Sequence, residues 1–173
     1  MIIVLIGYMA SGKSTIGKKL ADKLNYGFID LDHFIESKEN LSVREIFKTK
    51  GEIYFRKQEA LYLTSILQSN DKIVLSLGGG TPCFGNNIEH ILNTQNVKSI
   101  YLKNSISSLV KKLYKKKAKR PLIAHIETKE AMTEFVAKHL FERVQFYNQS
   151  EIHIDTDGKS KRRIVEEVIL KLF

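Results

Sequence analysis

Residues 2–14 read IIVLIGYMASGKS, an apolar run followed by a glycine-rich loop. The run at 2–6 has the length and composition of a buried strand. Residues 7–14 match the pattern G-x-x-x-x-G-K-[ST], and a helical pattern follows directly. Main-chain N–H groups of such a loop converge on phosphate oxygens, and the next helix adds the positive end of its dipole. The stretch therefore predicts a strand–loop–helix unit that holds the phosphate groups of a nucleotide.

Two side chains of this loop suit a nucleoside triphosphate. Lys13 would reach the β- and γ-phosphates, and the Ser14 hydroxyl would ligate Mg²⁺, so we expect ATP as donor and Mg²⁺ as cofactor. The alternative, a chance glycine turn, does not account for the strand before the loop and the helix after it. The ATP-binding residues predicted here are Gly7, Ala10, Ser11, Gly12, Lys13, Ser14 and Thr15.

Strand and helix patterns alternate along the rest of the chain. Their alternation indicates βαβ units and a parallel sheet covered by helices on both faces. In such sheets, ligands bind beyond the carboxyl ends of the strands. Apolar runs predict further strands at 28–31, 73–77, 97–102 and 152–155, and helical spacing predicts helices at 41–50, 51–68 and 164–173.

The composition is that of a globular protein of one domain, 1–173. Hydrophobic residues make up 43% of the chain and charged residues 27%, which is ordinary usage for a folded chain. The apolar run at the start is too short to span a bilayer and lacks a basic leader. A single cysteine, Cys83, excludes an intramolecular disulfide and suits a reducing compartment. We therefore expect a cytoplasmic protein with no membrane partner.

The net charge of +9 comes mainly from one segment. Residues 111–120 read KKLYKKKAKR and hold seven positive charges and no acid. Without these seven, 21 of the 28 basic residues remain against 19 acidic residues, which gives a net charge of only +2. This distribution argues against a basic face for nucleic acid, although a nucleic-acid-binding module remains an alternative that rests on this segment.

Two carboxylates follow the second predicted strand. Asp30 and Asp32 are two residues apart, so both side chains would leave one face if the chain stays extended. One could support the Mg²⁺ shell while the other takes the proton of an acceptor hydroxyl. A helix N-cap at Asp32 is the structural alternative.

Two arginines fall on apolar stripes of predicted helices. A guanidinium group that faces a core needs an anionic partner. Local partners are available, Glu52 and Glu59 for Arg56 and Glu142 for Arg143, and the alternative is that both arginines bind the carboxylate of a small acidic substrate. The stripes are Ile53, Ala60, Leu63 and Leu67 with Arg56, and Met132, Val136, Leu140 and Tyr147 with Arg143.

Two further segments have a chemistry of their own. The glycines at 78–80 directly follow a predicted strand and would let a ligand approach bare main-chain N–H groups, unless they form a plain loop. At the end of the basic segment, Arg120 precedes Pro121 and could close over the triphosphate to neutralise charge on the transferred group. For most lysines of that segment, a solvated helix end is the preferred interpretation.

Taken together, these motifs resemble shikimate kinase over nearly the whole chain. Residues 51–59, GEIYFRKQE, look like the G-E-x-x-F-R-x-x-E segment of that family. The Asp-Leu-Asp at 30–32, the glycines at 78–80, Arg-Pro-Leu at 120–122, and Arg143 with Tyr147 occur in the family's order and spacing. The resemblance implies a nucleoside-monophosphate-kinase-like fold of three α/β/α layers around a five-stranded parallel sheet. It also implies a lid at about 112–125 and a substrate-binding region at about 32–62.

The resemblance further implies transfer of the γ-phosphoryl group of ATP to the 3-hydroxyl of shikimate, a step of chorismate and aromatic amino acid biosynthesis. The partners would be ATP and shikimate, without nucleic acid, and the chain would be a monomer. The implied catalytic residues are Lys13, Asp32 as base, and Arg120. The implied shikimate-binding residues are Asp32, Arg56, Gly78, Gly79, Gly80 and Arg143; Ser14 and Asp30 would serve Mg²⁺, and Arg120 and Lys159 would contact ATP, the latter beside adenine.

Two positions depart from that pattern. Leu77 stands where the family usually has threonine, so a hydroxyl near the water shell of the metal is missing. A lysine, such as Lys115, replaces the arginine that stacks on adenine. A kinase of gluconate or of a nucleoside monophosphate is the alternative enzyme, because two arginines suit any acidic acceptor. A nucleotide-gated switch is disfavoured, since the chain lacks D-x-x-G and N-K-x-D elements.

Overall fold

The computed structural model describes residues 1–69, 71–117 and 122–173. Five strands form the sheet: β1 (Ile2–Ile6), β2 (Gly27–Asp30), β3 (Ile73–Ser76), β4 (Val97–Lys103) and β5 (Ile152–Asp155). The helices are α1 (Lys13–Leu24), α2 (Leu31–Glu39), α3 (Val43–Thr49), α4 (Gly51–Leu67), α5 (Asn87–Asn93), α6 (Ile106–Lys115), α7 (Lys129–Tyr147) and α8 (Lys161–Leu172), with a 3₁₀ turn at Thr81–Cys83.

All strand pairs are parallel, in the spatial order β2-β3-β1-β4-β5. Val4 of the central strand β1 is paired in register with Leu75 of β3 on one side and with Ser99 of β4 on the other. The chain passes from one side of β1 to the other between β3 and β4, which creates the crevice at the carboxyl ends where such sheets bind ligands. The loop after β1 therefore opens at the middle of that edge.

Both faces of the sheet are covered by helices. Alternate residues of β1 point to opposite faces, and all five are buried. Ile3 and Leu5 pack in a core with α1 and α8, whereas Ile2, Val4 and Ile6 belong to a second core with α2 to α7. The predicted three-layer α/β/α fold with a five-stranded parallel sheet is confirmed.

Helix caps explain where the observed elements differ from the predicted ones. Ser42 and Glu45 form a reciprocal capping box, so α3 starts at Val43 and not at the predicted position 41. Ser160 accepts a hydrogen bond from the N–H of Arg163, which starts α8 at Lys161, three residues before the prediction. The second strand ends at Asp30, one residue early, because α2 begins at Leu31.

The predicted apolar stripe of α4 is partly wrong. Leu63 and Leu67 are buried, but Ile53 is 76% exposed. The inward face also includes Phe55 and Glu59. Arg56 is half-buried beside this face, where it hydrogen-bonds Glu59. The corresponding stripe of α7 is confirmed at Met132, Val136 and Tyr147, all of which are fully buried. Within the described residues, none of the helices is long and apolar enough to cross a membrane.

Candidate active site

The glycine-rich loop between β1 and α1 wraps around the Lys13 side chain. The Lys13 ammonium donates hydrogen bonds to the carbonyl oxygens of Gly7 at 2.8 Å and Tyr8 at 3.0 Å. Gly12, which precedes the first residue of α1, has φ +103°, a conformation that favours glycine. The buried Ser11 hydroxyl has no hydrogen-bond partner within the described residues. A loop with an unsatisfied buried hydroxyl, a buried ammonium group and a helix N-terminus suits phosphate oxygens.

Ser14 and Asp30 meet at the edge of this loop. The Ser14 hydroxyl donates to Asp30 Oδ2 at 2.6 Å, which joins the first turn of α1 to the end of β2. A hydroxyl and a carboxylate beside a phosphate site are the hard oxygen donors that Mg²⁺ takes, together with phosphate oxygens and water. The described residues contain no group of three or more His, Cys, Asp or Glu that could hold a metal ion. The donor set therefore fits a cation that is bound mainly through its nucleotide.

Asp32 lies in the first turn of α2, so the expectation that it continues an extended strand is wrong, as is the N-cap alternative. The N-cap position belongs to Asp30, whose side chain makes no capping hydrogen bond. Both carboxylates nevertheless line the same cleft, since the turn from β2 into α2 directs them there. Burial, followed by the charges of Asp30 and Glu59, raises the pKa of Asp32 from 3.8 to about 6, against the opposing effect of Lys13.

The three glycines after β3 each face a different functional side chain. A β-carbon placed on Gly78 would lie 3.0 Å from Asp32 Oδ1. One on Gly79 would lie 3.4 Å from Arg143 Nη1, and one on Gly80 would lie 2.9 Å from Arg56 Nη2. This loop therefore brings the carboxylate and both guanidinium groups to one place. The two arginines are on the same side of the molecule, as convergence on one ligand requires.

Arg56 is held in a defined orientation. Its Nη1 donates to Glu59 Oε1 at 2.8 Å, and its Nε lies 3.5 Å from Glu52 Oε1, so both local partners that the sequence offers are present. Glu59 is only 1% exposed, and its other oxygen accepts a hydrogen bond from the Thr81 hydroxyl at 2.7 Å. The Phe84 ring covers a face of the guanidinium group, with 3.8 Å between Cζ and the ring centroid.

Arg143 belongs to a face of α7 that packs on the glycine loop. One turn further along, the Tyr147 hydroxyl donates to the carbonyl of Gly79 at 2.6 Å. Burial raises the pKa of Tyr147, so this donor stays protonated. No ion pair joins Arg143 to Glu142, although the structure describes both residues. An ion pair with a glutamate nearby in the same helix is thus present for Arg56 but not for Arg143.

The cleft above the phosphate loop has a volume of about 580 Å³ and a basic wall. Lys112, Lys115 and Lys116 contribute to it from the end of α6, and Lys161 from the start of α8. Leu77 also lines the cleft and is 2% exposed. An apolar side chain therefore occupies the position for which the resemblance implies a threonine hydroxyl. The cleft joins the phosphate loop and Thr15 to Asp30, Asp32 and the first two of the three glycines.

Of the two ATP contacts predicted outside the phosphate loop, Arg120 and Lys159, only Lys159 falls within the described residues. Arg120 and the neighbouring Pro121 lie outside the described residues. Lys159 forms an ion pair with Glu167 of α8 and is not among the residues that line the cleft; Lys161 takes that place. Sequence reasoning missed Lys161 and Phe84. It predicted a solvated helix end for most lysines of the basic segment, Lys112 and Lys116 among them. Lys112 is three residues before Lys115 and four before Lys116, a spacing that places side chains on one face of a helix.

Comparison with known proteins agrees with this geometry. A family model described as shikimate kinase matches residues 9–173. The chain belongs to the shikimate kinase family. A shikimate kinase of Flavobacterium psychrophilum is 47% identical over 172 residues, which cover 99% of this chain and 98% of the relative.

Solved structures of shikimate kinases share the fold over the full length. The shikimate kinase of Bacteroides thetaiotaomicron has a TM-score of 0.88 at 34% identity, covering 99% of this chain and 96% of its own. The shikimate kinase of Acinetobacter baumannii, solved in complex with shikimate, has a TM-score of 0.85 at 28% identity. The match covers 99% of this chain and 92% of the solved chain. The resemblance inferred from the motifs is confirmed, and the family favours shikimate kinase over the switch, nucleic-acid and gluconate alternatives.

Proposed function

We propose that this chain transfers the γ-phosphoryl group of ATP to the 3-hydroxyl of shikimate, giving shikimate 3-phosphate and ADP. Membership of the shikimate kinase family makes the chain an ATP-dependent kinase of the shikimate pathway. The observation that carries the residue assignment is the glycine loop, where Asp32, Arg143 and Arg56 face three consecutive glycines beside the phosphate loop. A small ring that bears one carboxylate and several hydroxyls fits such a set of groups.

On the donor side, the phosphate loop and Lys13 would bind the triphosphate. Lys13 now hydrogen-bonds carbonyl oxygens of the loop, and its ammonium would turn to the β- and γ-phosphates of bound ATP. Ser14 and Asp30 would hold Mg²⁺, which when bound supplies positive charge against the phosphate oxygens. The lysines of the cleft wall would neutralise the rest of the triphosphate. Among them, Lys115 would take the place of the arginine that stacks on adenine.

On the acceptor side, Arg143 and Arg56 would bind the carboxylate and so orient the ring. Asp32 would accept the proton of the 3-hydroxyl as its oxygen attacks the γ-phosphorus, while the bond from that phosphorus to the β,γ-bridging oxygen breaks and ADP leaves. A pKa of about 6 keeps Asp32 deprotonated near neutral pH and makes it a stronger base than an exposed aspartate. The main chain of Gly78, Gly79 and Gly80 would lie against the bound ring.

Several finer assignments belong to the same proposal. The chain would act as one domain, 1–173, with a lid at about 112–125 that carries Arg120, and a substrate-binding region at about 32–62. Arg120 would close over the transferred phosphoryl group, and Lys159 would lie beside adenine. We also propose a monomer in the cytoplasm without nucleic-acid or membrane partners, supported by the single cysteine and the confined excess of positive charge.

An ADP-release assay with ATP and Mg²⁺ tests the proposal. We expect turnover with shikimate and little with gluconate or nucleoside monophosphates, and ³¹P NMR of the product should show a phosphate ester at the 3-position. Lys13→Ala, measured in parallel, should lose turnover because it removes a charge that stabilises the transferring group. Equal turnover with gluconate, or none with shikimate, would contradict the assignment of the acceptor.

A further inference from the structure

A partly buried hydrogen bond joins the phosphate loop to the helix that carries Arg143. The Tyr8 hydroxyl lies 2.8 Å from Nδ1 of His139, and the two rings meet edge to face with 5.5 Å between centroids. We propose that Tyr8 and His139 are positioning residues that couple binding at the phosphate loop to binding of the acceptor's carboxylate. This inference rests on the proposed function, since it needs a nucleotide and a carboxylate as the two ligands.

The direction of this hydrogen bond follows from burial. Tyr8 is 1% exposed, and burial raises the pKa of its hydroxyl to about 12, so the hydroxyl keeps its proton and donates. His139 must then accept at Nδ1 and carry its own proton at Nε2. Burial, with the charge of Arg143, lowers the pKa of His139 and favours this neutral form. The Phe135 ring, 5.2 Å away between centroids, supports the imidazole from the preceding turn.

Tyr8 is at the same time part of the support for Lys13. Its carbonyl oxygen accepts hydrogen bonds from the Lys13 ammonium at 3.0 Å and from the Ser11 N–H at 3.1 Å. A displacement of Tyr8 therefore moves the acceptor of both bonds. The side chain of Tyr8 ties this part of the phosphate loop to α7.

His139 lies on the face of α7 that reaches the glycine loop. Residues at a spacing of four lie above one another on a helix, so His139, Arg143 and Tyr147 share one side. Arg143 faces Gly79, and Tyr147 hydrogen-bonds its carbonyl. Helix α7 thus contacts the phosphate loop through His139 and the glycine loop through Arg143 and Tyr147, on the next two turns.

The third side of this arrangement is a direct contact between the two loops. A β-carbon on Gly79 would lie 3.4 Å from the nitrogen of Met9 and 3.6 Å from the carbonyl oxygen of Gly7. The phosphate loop, the glycine loop and α7 therefore form a closed triangle of contacts. A ligand that shifts one corner would shift the others, so each ligand would bind more tightly to the arrangement that the other stabilises, which gives a coupling free energy between the two sites.

A purely structural role predicts a different outcome. If the Tyr8–His139 bond only stabilised the fold, its loss would lower thermal stability and leave the two binding equilibria independent of it. The informative quantity is the ratio of two dissociation constants for shikimate, measured by calorimetry without and with a non-hydrolysable ATP analogue and Mg²⁺. By linkage, the same ratio describes the effect of shikimate on the nucleotide.

We expect a ratio of about fivefold or more for the parent protein and below about twofold for Tyr8→Phe, which removes the donor alone. His139→Leu should behave like Tyr8→Phe, His139→Asn should restore part of the ratio because its amide oxygen can accept, and the double variant Tyr8→Phe/His139→Leu should add nothing. Thr94→Val is the control, since it also loses one partly buried side-chain hydrogen bond, to the carbonyl oxygen of His90, before β4 at the opposite end of the sheet from the two loops. Circular dichroism checks that each variant is folded.

Two results would overturn the coupling role: a ratio of one in the parent, or an unchanged ratio in Tyr8→Phe. In both cases shikimate still binds and ADP is still released, so the proposed function stands. Absence of shikimate binding in the parent would overturn the proposed function and the coupling together.

Discussion

The guanidinium carbon of Arg56 lies 3.8 Å from the centroid of the Phe84 ring. Stacking at this distance fixes the plane of the guanidinium group, while the salt bridge to Glu59 fixes its rotation within that plane. The fork of Arg56 is therefore oriented before a carboxylate arrives. Phe84 would act on the proposed acceptor through Arg56, as a positioning residue.

We expect Phe84→Leu to raise the KM for shikimate about tenfold, because a cation–π contact in a partly desolvated site contributes about 1–2 kcal/mol. The KM for ATP and kcat should stay close to the parent values. Steady-state kinetics with each substrate varied separately checks this. Phe28→Leu, which removes a ring beneath the Lys18 ammonium in the core on the α1 side of the sheet, serves as the control. A KM for shikimate equal to that of the parent would remove Phe84 from the site.

Gly80→Ala should also disturb the Arg56 guanidinium group. The added β-carbon would lie 2.9 Å from Arg56 Nη2, closer than such atoms approach, so the guanidinium group must move. We expect a rise in the KM for shikimate of about tenfold or more, without loss of the fold, since the conformation of Gly80 is open to alanine. Gly27→Ala is the control, because its nearest neighbour is 3.7 Å away. Parent-like kinetics in Gly80→Ala would mean that Arg56 is free to move without cost.

Arg143→Ala should mainly raise the KM for shikimate, because the carboxylate is bound in the ground state and in the transition state alike. Hydrogen bonds between charged groups contribute about 1.5–3 kcal/mol, which corresponds to a rise of about ten- to a hundredfold. Initial rates at low shikimate concentration measure this loss. The exposed Arg163 of α8 offers a matched control, Arg163→Ala. Equal rates for Arg143→Ala and the parent at low shikimate would refute the carboxylate contact.

Activity should depend on the protonation of Asp32. As the base, Asp32 must be deprotonated, so kcat/KM should fall as the pH drops below its pKa of about 6. Asp32→Asn should lower kcat about 10²- to 10⁴-fold and lose this acidic limb. A pH–rate profile of both proteins between pH 5 and 9, roughly one unit below the pKa to well above it, provides the measurement. Unchanged kcat in Asp32→Asn would rule out the role of base.

The same substitution should stabilise the fold at neutral pH. The folded protein binds the Asp32 proton more tightly than the unfolded chain, since the pKa rises from 3.8 to about 6. The parent therefore loses stability as the pH rises through this window, and the asparagine variant does not. We expect Asp32→Asn to have the higher Tm at pH 7 and the difference to shrink as the pH falls toward 4. A difference in Tm independent of pH would contradict the raised pKa.

The parts of the site that depend on neighbouring residues in the chain could be predicted from the sequence. The phosphate loop is one of them, because strand, glycines, lysine and helix follow one another without a break. The face of α4 was misjudged because Glu59 is buried, and a glutamate on an inward face breaks the apolar period that the prediction used. Its partner, Thr81, is 22 residues away, and no local pattern announces that hydrogen bond.

Contacts between distant segments account for the rest. The pairing of the three glycines with Asp32, Arg143 and Arg56 depends on how three helices approach one loop. The stacking of Phe84 on Arg56 depends on the turn after that loop, where an aromatic residue looks like any other half-buried side chain. The resemblance to a family identified the arginines as a pair, but it did not indicate what orients them.

A loop of three adjacent glycines has no side chain that substitution could exchange for a better fit to another acceptor. A methyl group added at Gly78 or Gly80 would come within 3.0 Å of the Asp32 carboxylate or 2.9 Å of the Arg56 guanidinium group. New acceptor preferences must therefore arise on the surrounding helices α2, α4 and α7. A directed-evolution library for this scaffold would leave 78–80 untouched and randomise the helix positions that face them.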